Sequence, residues 1–178
     1  MSKPTAIIIH HELGNQGFWG VNDYHRQLWN FPSSLGFFIA YQYYIGKDGV
    51  VFQGRLDDEE GCHTKGRNFD SIGICLEGNF DYSYPTDTQI KSLKKLLLNK
   101  MTMWAIKPNE VYGHRVYANY KSCPGKLWRE SDVRVLFEPD NSYYQSLLNS
   151  LKDILLKLKT IQLGSSITKG CIDKDSRG

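Results

Sequence analysis

Residues 5–12 read Thr-Ala-Ile-Ile-Ile-His-His-Glu. A short β-branched run that ends in histidine reads as a buried strand with imidazoles at its end. Working outward, Phe37–Ile45 and Val50–Arg55 are rich in aromatic and β-branched residues, and Gly46-Lys47-Asp48-Gly49 joins them. The Asp-Gly pair favours a hairpin turn. Ser71–Leu76 is a further short apolar strand. Asn22–Asn30 reads as a helix, started by Asn22 or Asp23 and stopped by Pro32. Thr86-x-x-Gln89 is a capping box, and Ile90, Leu93, Leu97, Met101 and Trp104 follow it on one helical face. Strands interleaved with helices around one evident hairpin give an α/β (α+β) domain: a central mixed β-sheet flanked by helices.

With 178 residues the chain is long enough for one domain with a real core and an appendage. The texture changes after Glu138-Pro139-Asp140-Asn141, which bounds a main domain at residues 1–140. Beyond it Tyr144, Leu147, Leu151, Ile154, Leu158 and Ile161 recur at three-four spacing, so residues 141–163 are expected to form an amphipathic helix, with a polar tail at 164–178. That apolar stripe is expected to pack on a neighbouring surface, in the same chain ahead of a homo-oligomer through residues 141–163.

Residues 1–140 carry 16 basic and 16 acidic side chains, and no Lys/Arg run forms a stripe, so nucleic acid is not an expected partner. Stable membrane insertion is not expected either, because no apolar run approaches the roughly 18 residues of a span. The start lacks the apolar stretch of a secretory signal, and the expected location is therefore cytoplasmic as synthesised. Cys62, Cys75, Cys123 and Cys171 are widely spaced and suggest neither a disulfide framework nor a zinc finger.

Three segments combine residue types that zinc favours: His10-His11-Glu12 at a strand end, His114-Arg115, and Cys123-Pro124-Gly125. Two imidazoles and a thiolate leave a tetrahedral zinc one open position, the pattern of a catalytic site. Adjacent strand residues point to opposite faces, so His10 and His11 are not expected to share one metal.

The ordered set IIIHHE, YQYYIGKDG, GCHTKGRNFDSIGICLEGNF, YGHR and KSCPG resembles the zinc-dependent N-acetylmuramoyl-L-alanine amidases. That superfamily includes amidase-type phage lysozymes and peptidoglycan-recognition proteins. The resemblance spans about residues 7–128. It implies the corresponding fold, with Zn2+ as cofactor and His10, His114 and Cys123 as its ligands, His10 being favoured over His11. It also implies Tyr41 and Lys121 as catalytic residues and His63 and Asn68 as substrate-binding residues. Glu12 is read as a solvated loop carboxylate ahead of an orienting acceptor. Nine positions separate His114 from Cys123, one more than the family's usual spacing, and Val116 stands where an acidic residue often follows the His-Arg pair. Both departures bear on the register of Lys121 more than on Cys123.

The activity so implied is hydrolysis of the amide between N-acetylmuramic acid and L-alanine in peptidoglycan, by an endolysin or a wall-recycling enzyme, with peptidoglycan or a muropeptide as substrate. The competing expectation is a recognition module of the same fold that binds peptidoglycan without cutting it; such modules typically lack the cysteine. A regulatory protein partner is a third expectation, carried by the phage branch of the superfamily.

Overall fold

Ala6–His11 (β1) is buried along its whole length. In the computed structural model, which describes residues 3–128 and 149–159, this strand pairs in parallel with Ser71–Leu76 (β4) on one side and Val111–Gly113 (β5) on the other. A strand covered on both faces has no reason to alternate polar and apolar residues, which explains the unbroken apolar run. Tyr43–Ile45 (β2) continues the sheet in parallel beside β4, and Val51–Gln53 (β3) closes the hairpin in antiparallel, giving the order β3-β2-β4-β1-β5. The hairpin turns at Gly46–Gly49, with Gly49 in the left-handed region.

Two helices cover the two faces. Asp87–Trp104 (α2) starts at the Thr86–Gln89 capping box foreseen in the sequence. It lies over a core that includes Ile7, Ile9, Ile72, Ile74, Leu93 and Leu97. Gly17–Trp29 (α1) covers the other face, where Phe18, Val21, Ile39, Tyr44 and Cys75 pack. Parallel register puts His10 beside Cys75 and His11 beside Leu76, so the two histidines face opposite layers.

Three elements depart from the sequence reading. The first helix begins at Gly17 rather than Asn22 because burial of Phe18 and Val21 outweighs the low helix propensity of Gly17 and Gly20. Only Tyr43–Ile45 of the expected Phe37–Ile45 strand is regular. Residues 38–40 instead satisfy their backbone with side chains: Phe38 N–H donates to Asn22, Ala40 N–H to His25 Nδ1, and Ile39 C=O accepts from Arg55. β5, three residues long, has no counterpart in the sequence reading because it is too short for a periodic signal.

The chain divides into two compact units, Met1–Phe137 and Glu138–Gly178. In the second, residues 149–159 are helical and their side chains exposed, including Leu151, Ile154, Leu155 and Leu158. The remainder of the expected 141–163 helix and the 164–178 tail lie outside the described residues. Among the described residues no helix is long and apolar enough to cross a membrane.

Candidate metal centre

Parallel strands β4, β1 and β5 end on the same side of the sheet, and that edge carries the site. Ligands of open sheets commonly bind off the carboxyl ends of such strands. His10 is the penultimate residue of β1, and His114 follows directly after β5 in a 3-10 turn. Cys123 arrives on an irregular loop. The three side chains are buried, and one ligand atom from each lies within 4.8 Å of the others. Cys123 Sγ is 3.7 Å from His10 Nδ1, and the His10 and His114 rings are 4.5 Å apart at their centroids.

The Cys123 loop is held from several directions. The Arg115 backbone N–H donates to Cys123 C=O at 2.7 Å, and its guanidinium donates to the carbonyls of Gly125, at 2.8 Å, and Trp128. Asp81 accepts from Ser122 Oγ and from Lys126 N–H, each at 2.8 Å. Gly125 sits at φ +127°, and a Cβ there would lie 2.4 Å from the carbonyl carbon of Phe80. Only glycine allows that approach. Phe80 in turn donates its N–H to His11 Nδ1 at 3.1 Å. His11 thus serves the layer beneath the loop, on the face away from His10.

Burial drives the imidazoles toward their neutral forms. His10 is pushed well below the usual range by burial first, then by His63 and His114. His114 is lowered to about 4 by burial and then by Lys121. Burial raises the Cys123 thiol to about 11, against the pull of the His11 backbone N–H and Lys121. Three ligand-type groups at one point, each with its protonation displaced, are characteristic of a functional site.

The donor set fits zinc. With Zn–S near 2.3 Å and Zn–N near 2.0–2.1 Å, a tetrahedral angle sets sulfur and nitrogen about 3.6 Å apart. The 3.7 Å between Cys123 Sγ and His10 Nδ1 matches that edge.

A cleft of about 1170 Å³ opens over the triad. Tyr41 is half-buried in its wall, 5.0 Å from the His10 ring, on a loop and not on the expected strand. Burial first, then Cys75 and Cys123, hold its phenol well above the ordinary range. Asn22 and His25 of α1 position this loop through Phe38 and Ala40. Lys121 is exposed on the rim, and its charge is felt by His10, His114 and Cys123. Lys121 thus lines the same cleft as the triad.

His63 and Asn68 also line the cleft, but much of their polar capacity is used internally. His63 Nδ1 is 3.1 Å from His10 Nε2, and Asn68 Oδ1 accepts the N–H groups of His63 and Thr64 at 2.9 and 2.7 Å. Glu12 is not a free loop carboxylate: it accepts from the Tyr44 hydroxyl and the Gln16 N–H. Sequence reasoning gave no role to Asp81 and did not place Arg115 in the loop. The arginine directly after His114 was the one local signal; Asp81 had none.

Residues 1–126 match the family model described as N-acetylmuramoyl-L-alanine amidase. Peptidoglycan-recognition protein SC2 of Drosophila melanogaster is 33% identical over 138 residues, covering 71% of each chain. The endolysin of Enterobacteria phage T3 is 33% identical over 106 residues, which cover 54% of this chain and 68% of the endolysin. Among solved structures, N-acetylmuramoyl-L-alanine amidase LysC from Clostridium intestinale URNW aligns with a TM-score of 0.66 at 28% identity, covering 75% of this chain and 84% of LysC.

Proposed function

The chain belongs to the N-acetylmuramoyl-L-alanine amidase family, and from that premise we propose that it hydrolyses peptidoglycan, cutting the amide between the lactyl group of N-acetylmuramic acid and the L-alanine of the stem peptide. His10, His114 and Cys123 would hold a zinc ion for this reaction. One observation carries the reading: the ligand atoms of these residues converge to within 4.8 Å at a cleft that Tyr41 and Lys121 also line.

When bound, zinc supplies Lewis acidity for the scissile carbonyl and a nucleophilic water near neutral pH. The residues of the chain do the rest. His10 and His114 enter as neutral imidazoles with lone pairs available. Tyr41 keeps its proton on Oη and donates a hydrogen bond to the oxyanion that develops as the carbonyl is attacked. Lys121 Nζ, on the rim, brings a cation to the same charge and passes a proton to the departing alanine nitrogen. The exposed position of Lys121 lets it follow the substrate, while α1 fixes Tyr41 from behind.

A module that only recognises peptidoglycan is the other reading compatible with relatives named peptidoglycan-recognition proteins. The cysteine that such modules typically lack is present here as Cys123, with Sγ 3.7 Å from His10 Nδ1, and this favours catalysis. The test is a digest of purified peptidoglycan analysed by mass spectrometry, with zinc and with a chelator. Expected products are peptides with a free L-alanine amino terminus and glycan strands with bare lactyl carboxylates, both lost on chelation. Retention on peptidoglycan without any such product would establish the recognition module instead.

A further inference from the structure

We infer that His63 is a positioning residue for His10, fixing its tautomer by accepting the Nε2–H of His10 on Nδ1, so that the His10 lone pair stands on Nδ1, the atom facing Cys123. The inference rests on the zinc reading above and gives His63 a role that acts through a ligand and not on the substrate.

Three distances carry it. His10 Nε2 is 3.1 Å from His63 Nδ1, His63 Nδ1 is 3.0 Å from Thr64 Oγ1, and Thr64 Oγ1 is 3.4 Å from His10 Nε2. A single proton occupies the line between the two imidazoles. If His63 Nδ1 carried it, His10 would be left with its proton on Nδ1, where it would point toward Cys123 Sγ at 3.7 Å and block coordination. The other placement frees that atom. It also puts the single ring proton of neutral His63 on Nε2, a buried atom that makes no hydrogen bond.

The His63 ring is fixed in this pose by its surroundings. A Cβ on Gly73 would lie 2.7 Å from His63 Cγ and Cδ2, and one on Gly61 would lie 2.5 Å from Cδ2. Both glycines make room for the imidazole. Asn68 Oδ1 ties down the backbone on either side of it. Partners of this kind fix the orientation and basicity of a ligand histidine, and losing one commonly costs 10–100-fold in metal affinity.

The test combines two measurements. In the metal-free full chain, nitrogen-15 NMR of the imidazoles is expected to find His10 and His63 both protonated on Nε2. A proton on Nδ1 of either ring overturns the inference without any substitution. Zinc affinity, measured by competition with a chromogenic chelator, is expected to fall 10–100-fold in His63→Leu and to recover in His63→Asn. The Asn oxygen stands two bonds from Cβ, as His Nδ1 does. Unchanged affinity in a folded His63→Leu, or an Asn variant as weak as the Leu variant, overturns it as well. If His63→Leu does not fold, the NMR result and His63→Asn decide the matter. A wild-type chain that takes up no zinc overturns the metal reading itself; one that binds zinc while His63→Leu binds equally well overturns only this inference.

Discussion

His10 Nδ1 and Cys123 Sγ stand 3.7 Å apart although 113 positions separate them in the chain. The histidine comes from β1, a strand buried along its length and paired with a neighbour on each side. The cysteine comes from a loop with no regular structure, made rigid by Arg115, Asp81 and the contact of Gly125 with Phe80. A metal centre built from these residues would depend on the loop's anchors as much as on the side chains that hold the ion.

Zinc uptake should reach about one ion per chain and should depend on pH in a defined sense. Between about 4, where His114 loses its proton, and about 11, where the Cys123 thiol would lose its own, the metal-free site holds neutral imidazole and protonated thiol. Zinc binding must then expel the thiol proton, so affinity rises about tenfold per pH unit across neutrality. Chelator-competition titrations between pH 6 and 8 measure the slope. A flat profile would show that the thiol is not a ligand, as would wild-type affinity in Cys123→Ser.

Tyr41→Phe and Lys121→Ala should each lower turnover about 100-fold, the usual cost of losing one oxyanion donor, and leave zinc content unchanged. Paired measurement of product formation and bound zinc separates the two effects. Near-normal turnover in Lys121→Ala would move the proton-donor role elsewhere. Arg115 is a poor replacement, since its guanidinium is engaged with the carbonyls of Gly125 and Trp128.

Gly125→Ala should disconnect the Cys123 loop from Phe80. The added methyl would have to sit in an unfavourable φ region and against backbone atoms that have little room to move. We expect about 1–3 kcal/mol of destabilisation from the strained backbone, together with loss of retained zinc. Thermal melts and metal analysis on the same sample check both parts.

Asp57→Ala should destabilise the domain without touching the chemistry. Asp57 accepts from the Tyr43 hydroxyl, from Lys100 Nζ at 2.9 Å and from Trp104 Nε1 at 2.8 Å, joining the hairpin to α2. Lys100 is itself buried, so removing the carboxylate strands a cation, at a cost of about 3–5 kcal/mol. None of these residues lines the cleft. Turnover per folded molecule should therefore match wild type while the denaturation midpoint falls.

The amino-acid sequence by itself determined the buried strand at Ile7–Ile9, the hairpin around Asp48-Gly49 and the capped helix from Asp87 to Trp104. Each is written in local chemistry: β-branched burial, a turn residue that accepts positive φ, a reciprocal cap. The sequence also supplied the residue types of the site, and strand alternation kept His10 and His11 on opposite faces. Tertiary structure decided the rest, because the forces involved act between distant positions. Burial of Phe18 and Val21 drew the first helix back to Gly17. Side chains of Asn22, His25 and Arg55 took over the backbone partners of residues 38–40, leaving Tyr41 on a loop. Glu12 found Tyr44, and His63 found His10, 53 positions away. Spacing along a chain cannot register such pairings; they exist only once the sheet has brought its strand ends together and the surrounding layers have excluded water.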